Sequence, residues 1–253
     1  SAETEFPIKL GLFLVTALLP VTPSAFADFQ YDLQGQDLYQ VQAASASSRV
    51  SYDGTELLSV RRDGEATRFE ARARYVRDSP DGRTDGNAKF VADMMPNGAF
   101  EDRVDDDPDF LTILNQPFAV QLDAATLRDL QDLRGSVPFA ANSPLGGGSV
   151  LRGFLRPGTS GPIAGHPTVA VRFQAGGPMT GALPGHGGAI TGAMRMDGTA
   201  YYSLENAMLL ALRATLTIDA RLHDRKPAVY VPVRIIYVRS IRASGTPVVK
   251  TPR

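Results

Sequence analysis

The stretch MLLALRATLTIDARL, Met208–Leu222, decides the fold class. Its even positions read Met208, Leu210, Leu212, Ala214, Leu216, Ile218, Ala220 and Leu222, while Arg213, Thr215, Thr217, Asp219 and Arg221 occupy the odd ones. A period of two is the mark of a β-strand with one buried face. A helix would accommodate Ala207–Leu216 alone, but the alternation runs past it. After a turn at His223–Pro227 the chain returns as Val229–Ile241, with Val229, Val231, Val233, Ile235 and Tyr237 on one parity. The two segments predict a long antiparallel hairpin. Fifteen residues extended at about 3.3 Å each would span roughly 50 Å, well beyond a usual strand, so such strands must bend or coil. Ile235-Ile236-Tyr237-Val238 is apolar on both parities and is expected to be covered on both sides.

Working outward, alternation recurs through Phe29–Leu33, Leu38–Tyr52, Leu57–Arg62, Thr67–Val76, Ala88–Met95 and Ala99–Val104. Asp53-Gly54, Asp63-Gly64 and Pro96-Asn97-Gly98 read as hairpin turns, and Ser79–Gly86 as a loop. Two short helices are predicted. One starts at Asp107 with Pro108 in its first turn and runs through Phe110–Leu114. The other is Ala124–Leu133, with Leu127, Leu130 and Leu133 on one stripe and Gly135 as its stop. Residues 135–166 read as a Gly/Pro-rich linker containing one strand, Val150–Leu155. Thr168–Phe173, Ile190–Met196 and Thr199–Leu204 are further strands, separated by a Gly176–Gly188 loop and by Asp197-Gly198. The fold class expected is mainly β (α+β): a long, strongly curved antiparallel sheet or half-barrel with two or three short helices packed on it.

Residues 1–27 read as a secretory signal peptide. Lys9 supplies the charge, Leu10–Leu19 the apolar run, Pro20 the break, and Ala25-Phe26-Ala27 the cleavage signal before Asp28. Ten apolar residues give a helix of about 15 Å, half a bilayer core, so no transmembrane span is expected in the mature chain. The terminal Lys250-Thr-Pro-Arg253 disfavours an outer-membrane barrel. The protein is therefore expected to be bacterial, exported, and periplasmic or extracellular. Residues 28–253 form a single β-rich domain on this reading, with an acidic half (28–135) and a basic half (150–245) joined at 135–150. Residues 28–135 carry 12 basic and 21 acidic side chains; residues 136–253 carry 13 and 4. Such asymmetry fits either two mutually attracting halves or a basic surface for an anionic partner such as lipid headgroups or polysaccharide.

The absence of Cys excludes disulfides, thiolate zinc sites, cysteine nucleophiles and a lipoprotein anchor. The acidic run Asp102–Asp109 lacks the spacing of a Ca²⁺ loop, and capping accounts for Asp107 and Asp109. Ser149 and Ser160 lie beside glycines, but neither completes Gly-x-Ser-x-Gly, so pairing with His166 or His223 is disfavoured. Gly146–Gly148 and Gly185–Gly188 open no phosphate-binding helix, and His186 has no metal partners near it in sequence. Met94, Met95, Met194 and Met196 read as core, or as the soft lining of a lipid pocket. No catalytic residue, metal site, cofactor or nucleic-acid partner is expected.

A signal peptide, a long curved antiparallel sheet and a few short helices together resemble bacterial envelope carriers of the LolA/LppX type. The resemblance lies in the order of elements and carries no residues with it. It implies a hydrophobic cavity for a lipid or other amphiphile. On that reading the cavity lining is Leu210, Leu212, Leu216, Ile218, Ile235, Tyr237 and Arg239, the arginine either reaching solvent at a strand end or facing a headgroup. The alternative is a structural or protein-interaction module of the envelope with no small ligand. A hydrolase is the third class.

Overall fold

The computed structural model describes residues 26–41, 46–95, 100–105, 124–142, 149–182, 189–223, 230–244 and 248–250. They build one antiparallel sheet. In chain order the strands are β1 (Phe26–Val41), β2 (Ala46–Asp63), β3 (Ala66–Ser79), β4 (Gly82–Met94) and β5 (Phe100–Asp105), then helix α1 (Ala124–Gln131). There follow β6 (Val137–Asn142), β7 (Val150–Pro157), β8 (Thr168–Ala182), β9 (Ala189–Ser203), β10 (Leu209–His223), β11 (Tyr230–Ala243) and β12 (Val248–Lys250). Their order in space is β5-β4-β3-β2-β1-β11-β10-β9-β8-β7-β6, with β12 beside the start of β1. Two meanders thus meet at the β1–β11 seam: the first runs outward from it, and the second starts at the far edge and runs back. β5 and β6 end the order at opposite edges, so the sheet is open.

The predicted hairpin lies at the centre, as β10 and β11, with Leu216 opposite Tyr237 and Ile218 opposite Ile235. One face of the whole sheet is buried. In line across it stand Asp37, Tyr237, Leu216, Met196, Ala175, Gly153 and Phe139, one per strand. Phe90 on β4 and Leu151 on β7, far apart in the strand order, are both fully buried in one core cluster. Leu127 and Leu133 join that core from α1 and the residues after it, against β8. The second predicted helix, Asp107–Leu114, lies outside the described residues, as do Gly146–Gly148, His186 and most of the signal segment.

The structure corrects several readings. Asp53-Gly54 is not a turn: it lies inside β2, where a Cβ on Gly54 would meet the Arg74 carbonyl at 2.1 Å and Tyr75 Cα at 2.6 Å. Asp197-Gly198 lies inside β9, where a Cβ on Gly198 would meet the Arg213 carbonyl at 2.2 Å and the Phe173 ring at 2.4 Å. These glycines make room for cross-strand aromatics on a crowded face. Asp63-Gly64 does turn the chain, with Gly64 at φ +60°. The 135–166 linker holds two strands, β6 and β7, and β8 continues through Gly176-Gly177 to Ala182. Glycine and proline mark breaks less reliably here because their neighbours are satisfied by long ladders. The alternation from Met208 also breaks once: a bulge between Leu209 and Ala211 turns Leu209 to the core cluster, and Leu210 is buried outside it.

The alternation argument makes a direct prediction. Leu216→Asp sets a charge on the buried face and should lower stability by about 3 kcal/mol or more, whereas Thr215→Asp, on the other face, should cost about 1 kcal/mol or less. Urea unfolding of the two variants measures the difference.

Candidate functional site

The buried face is mostly apolar, but among the described residues it holds one fully buried ion pair. Arg239 and Asp37 are both fully buried there, on the two strands that form the central seam. Register explains how an arginine fits. Its partners directly across are Gly35 on β1 and Ala214 on β10, both small. A Cβ on Gly35 would lie 3.1 Å from Arg239 Cδ and 3.3 Å from the Tyr52 ring. Asp37 is two residues beyond Gly35, so carboxylate and guanidinium meet diagonally, through Arg239 Nη1 and Asp37 Oδ1. The same nitrogen donates to the carbonyls of Val238 (3.1 Å) and Gln36 (3.4 Å).

Tyrosines surround the pair. The guanidinium carbon is 5.1 Å from the centre of the Tyr52 ring and 5.6 Å from that of Tyr237. Tyr39 meets Tyr237 edge-on at 6.1 Å, and Tyr75 meets Tyr52 at 5.5 Å. Burial, then the charge of Asp37 and a hydrogen bond to it, push the Tyr52 hydroxyl far above its ordinary value. Further along the face Tyr31 donates to the Leu209 carbonyl at 3.0 Å and stands opposite buried Glu56. Burial and the Glu56 charge raise the Tyr31 pKa, and burial alone raises that of Tyr202.

All seven residues predicted to line a cavity are buried. Leu212, Leu216, Ile218, Ile235 and Tyr237 share the core, and Leu210 sits at the bulge. Arg239 is not a strand-end residue reaching solvent; its charge is met inside the protein by Asp37. Asp37 went unread because Gln36-Asp37-Leu38 carries no motif, and only the Gly35–Arg239 register reveals it. Among the described residues no hydrogen bond joins Ser149 or Ser160 to His166 or His223. Ser160 Oγ accepts from the Ala170 N–H at 3.0 Å, whereas His166 Nδ1 lies 2.7 Å from Glu205 Oε2 on the exposed surface. His223 stacks edge-on with Tyr230 at 4.8 Å. Among the described residues no group of three or more His, Asp or Glu is placed to hold a metal ion, and no helix is long and apolar enough to cross a membrane.

The other face of the sheet is polar and unevenly charged. Among the described side chains, its outward positions on β1–β4 carry seven basic and seven acidic groups. On β7–β11 they carry eight arginines, all exposed, against Asp197 and Asp219. Asp219 is engaged by Arg234 through two bonds, of 2.6 and 3.0 Å, which hold its carboxyl below the ordinary range. A hollow of about 510 Å³ opens on this face, lined among others by Phe154, Arg156, Arg172, Asp197 and Arg213. Comparison with known proteins finds no family model and no curated protein that matches this chain.

Two predictions follow from the interior. Asp37→Ala leaves the buried guanidinium without its carboxylate and should cost about 3–5 kcal/mol, whereas the joint change Asp37→Leu with Arg239→Met should recover most of that, by urea unfolding. Tyr31, Tyr52 and Tyr202 have folded pKa values raised above those of the unfolded chain. The stability they contribute is complete below about pH 10 and is lost as pH rises beyond it, because only the unfolded chain then releases their protons. Tyrosinate absorbance should therefore show these three titrating together with alkaline unfolding, not before it.

Proposed function

We propose that the protein is an exported envelope protein that binds the apolar part of an amphiphile, with the sheet curled into a half-barrel around its buried face. The observation that carries this reading is an open sheet with one buried, largely apolar face and a single described helix resting on it. A sheet that buries Phe90 and Leu151 on one face, with so little helix to cover it, is best satisfied by curling on itself. The helix α1 meets the core through Leu127, with Leu133 just beyond its end, and lies against β8. That strand carries Met179, and its register partners on β9 include Met194 and Met196. Methionines repack at low cost, so the region of β8 and β9 near α1 is where room for an acyl chain is most easily made. Arg239 is a structural ion-pair member on this reading, since Asp37 already meets its charge, and the headgroup stays outside.

The second reading, an interaction module without a small ligand, is favoured by the edge strand β5, whose Val104 is 56% exposed. The two are separated by the masses that accompany the protein. Native mass spectrometry of the chain purified from an envelope fraction should show a bound lipid at one per chain. A dansyl-labelled fatty acid should bind the delipidated protein, and Met194→Phe, which adds bulk and stiffness in that region, should weaken the binding about tenfold. A protein partner recovered in place of lipid, with no binding of the fatty acid, selects the module.

A further inference from the structure

We infer that the open face of β7–β10 is a binding surface for an acidic polysaccharide. The inference rests on residues of the outer face and not on the amphiphile site, so either can fail alone.

The charge asymmetry of the sequence becomes a local feature in the structure. The face is balanced on β1–β4, but on β7–β11 arginine outnumbers aspartate eight to two. Three of these arginines fall in one line across the strands. Arg156 on β7 is directly opposite Arg172 on β8, Arg172 is opposite Thr199 on β9, and Thr199 is opposite Arg213 on β10. Like charges directly opposite each other weaken a ladder, and an anion bound between them reverses that sign. None of the three is in an ion pair among the described residues; Arg172 donates to the Pro157 carbonyl at 3.3 Å. The neighbouring line is Phe154, Gln174, Asp197 and Thr215, with Phe154 51% exposed. Both lines border the 510 Å³ hollow.

The arrangement selects the partner. At about 4.8 Å per strand, Arg156 and Arg213 are about 14 Å apart across three strand steps. A linear chain laid across the strands meets guanidinium groups in succession, and planar guanidinium groups grip carboxylate or phosphate with two bonds. Phe154 offers a ring for the apolar face of a sugar, and Gln174, Thr199 and Thr215 offer hydroxyl and amide partners. Besides these two lines of side chains, the hollow is bordered by Phe173 and Gly198 of the strands themselves. The choice of a glycan over nucleic acid rests on the export proposed above.

The test uses the full chain and a fluorescent oligogalacturonate. Anisotropy should report binding that weakens at least tenfold between about 50 and 500 mM salt, as screening requires. Arg172→Ala and Arg213→Ala should each weaken it about tenfold, while Arg74→Ala on the balanced face should leave it unchanged. A neutral dextran of equal length should not bind. Absence of oligogalacturonate binding, or binding that survives both substitutions, overturns the inference. Equal or tighter binding to a single-stranded oligothymidylate, or binding only to vesicles containing phosphatidylglycerol, overturns it in favour of nucleic acid or membrane.

Discussion

The ladder between β1 and β11 is the constraint on which the rest depends. It joins the first strand of one meander to the last strand of the other, through paired residues from Tyr31–Ala243 to Val41–Val233. Without it the chain would be two sheets, each with an additional free edge. The contact is also nearly the most distant in sequence that the chain can make. Its loop-closure entropy must be offset by strong local pairing elsewhere. Asp37 and Arg239 lie on this seam and are fully buried. A slip of two residues would keep every side chain on its own face, but it would take Gly35 from opposite Arg239 and change the diagonal meeting of that arginine with Asp37, so the pair fixes the register where the apolar alternation alone would not.

Volume is the second constraint. The buried face is filled by pairing large residues with small ones across strands: Tyr75 with Gly86, Phe173 with Gly198, Arg239 with Gly35 and Ala214. A Cβ on Gly86 would lie 2.3 Å from the Tyr75 ring, so these glycines are selected by packing and not by turn geometry. Among the described residues the core is almost free of helix: apart from Leu127 and Leu133, it is built from strand side chains and the short loop before β10.

The two faces divide the chemistry. Inside, the charges of Asp37 and Arg239 meet each other, and Tyr52 beside them is held protonated. Outside, the first meander balances its charges, with Arg68 on Asp93 and Arg72 on Glu70 at 3.1 and 2.5 Å. The second leaves most of its arginines to solvent. The two faces thus differ in kind, one largely apolar and covered in part by α1, the other cationic on β7–β11.

The period of two in Met208–Leu222 and Val229–Ile241 was enough to determine the strands, the hairpin and the identity of the buried face, because side chains of a strand alternate whatever lies beside it. Composition likewise excluded thiol chemistry. The seam was not legible, since nothing near Asp37 or Arg239 in sequence names the other; 202 residues separate them. Asp53-Gly54 and Asp197-Gly198 misled for a related reason. Asx-Gly favours a turn locally, but that preference is small, and the close approach of Tyr75 or Phe173 from the next strand outweighs it. The charge totals of the two halves could be counted from the sequence. That the arginines of the second half gather on one face, three of them in a line across four strands, was decided only by the register of the ladders, because pairing between strands sets which residues become neighbours.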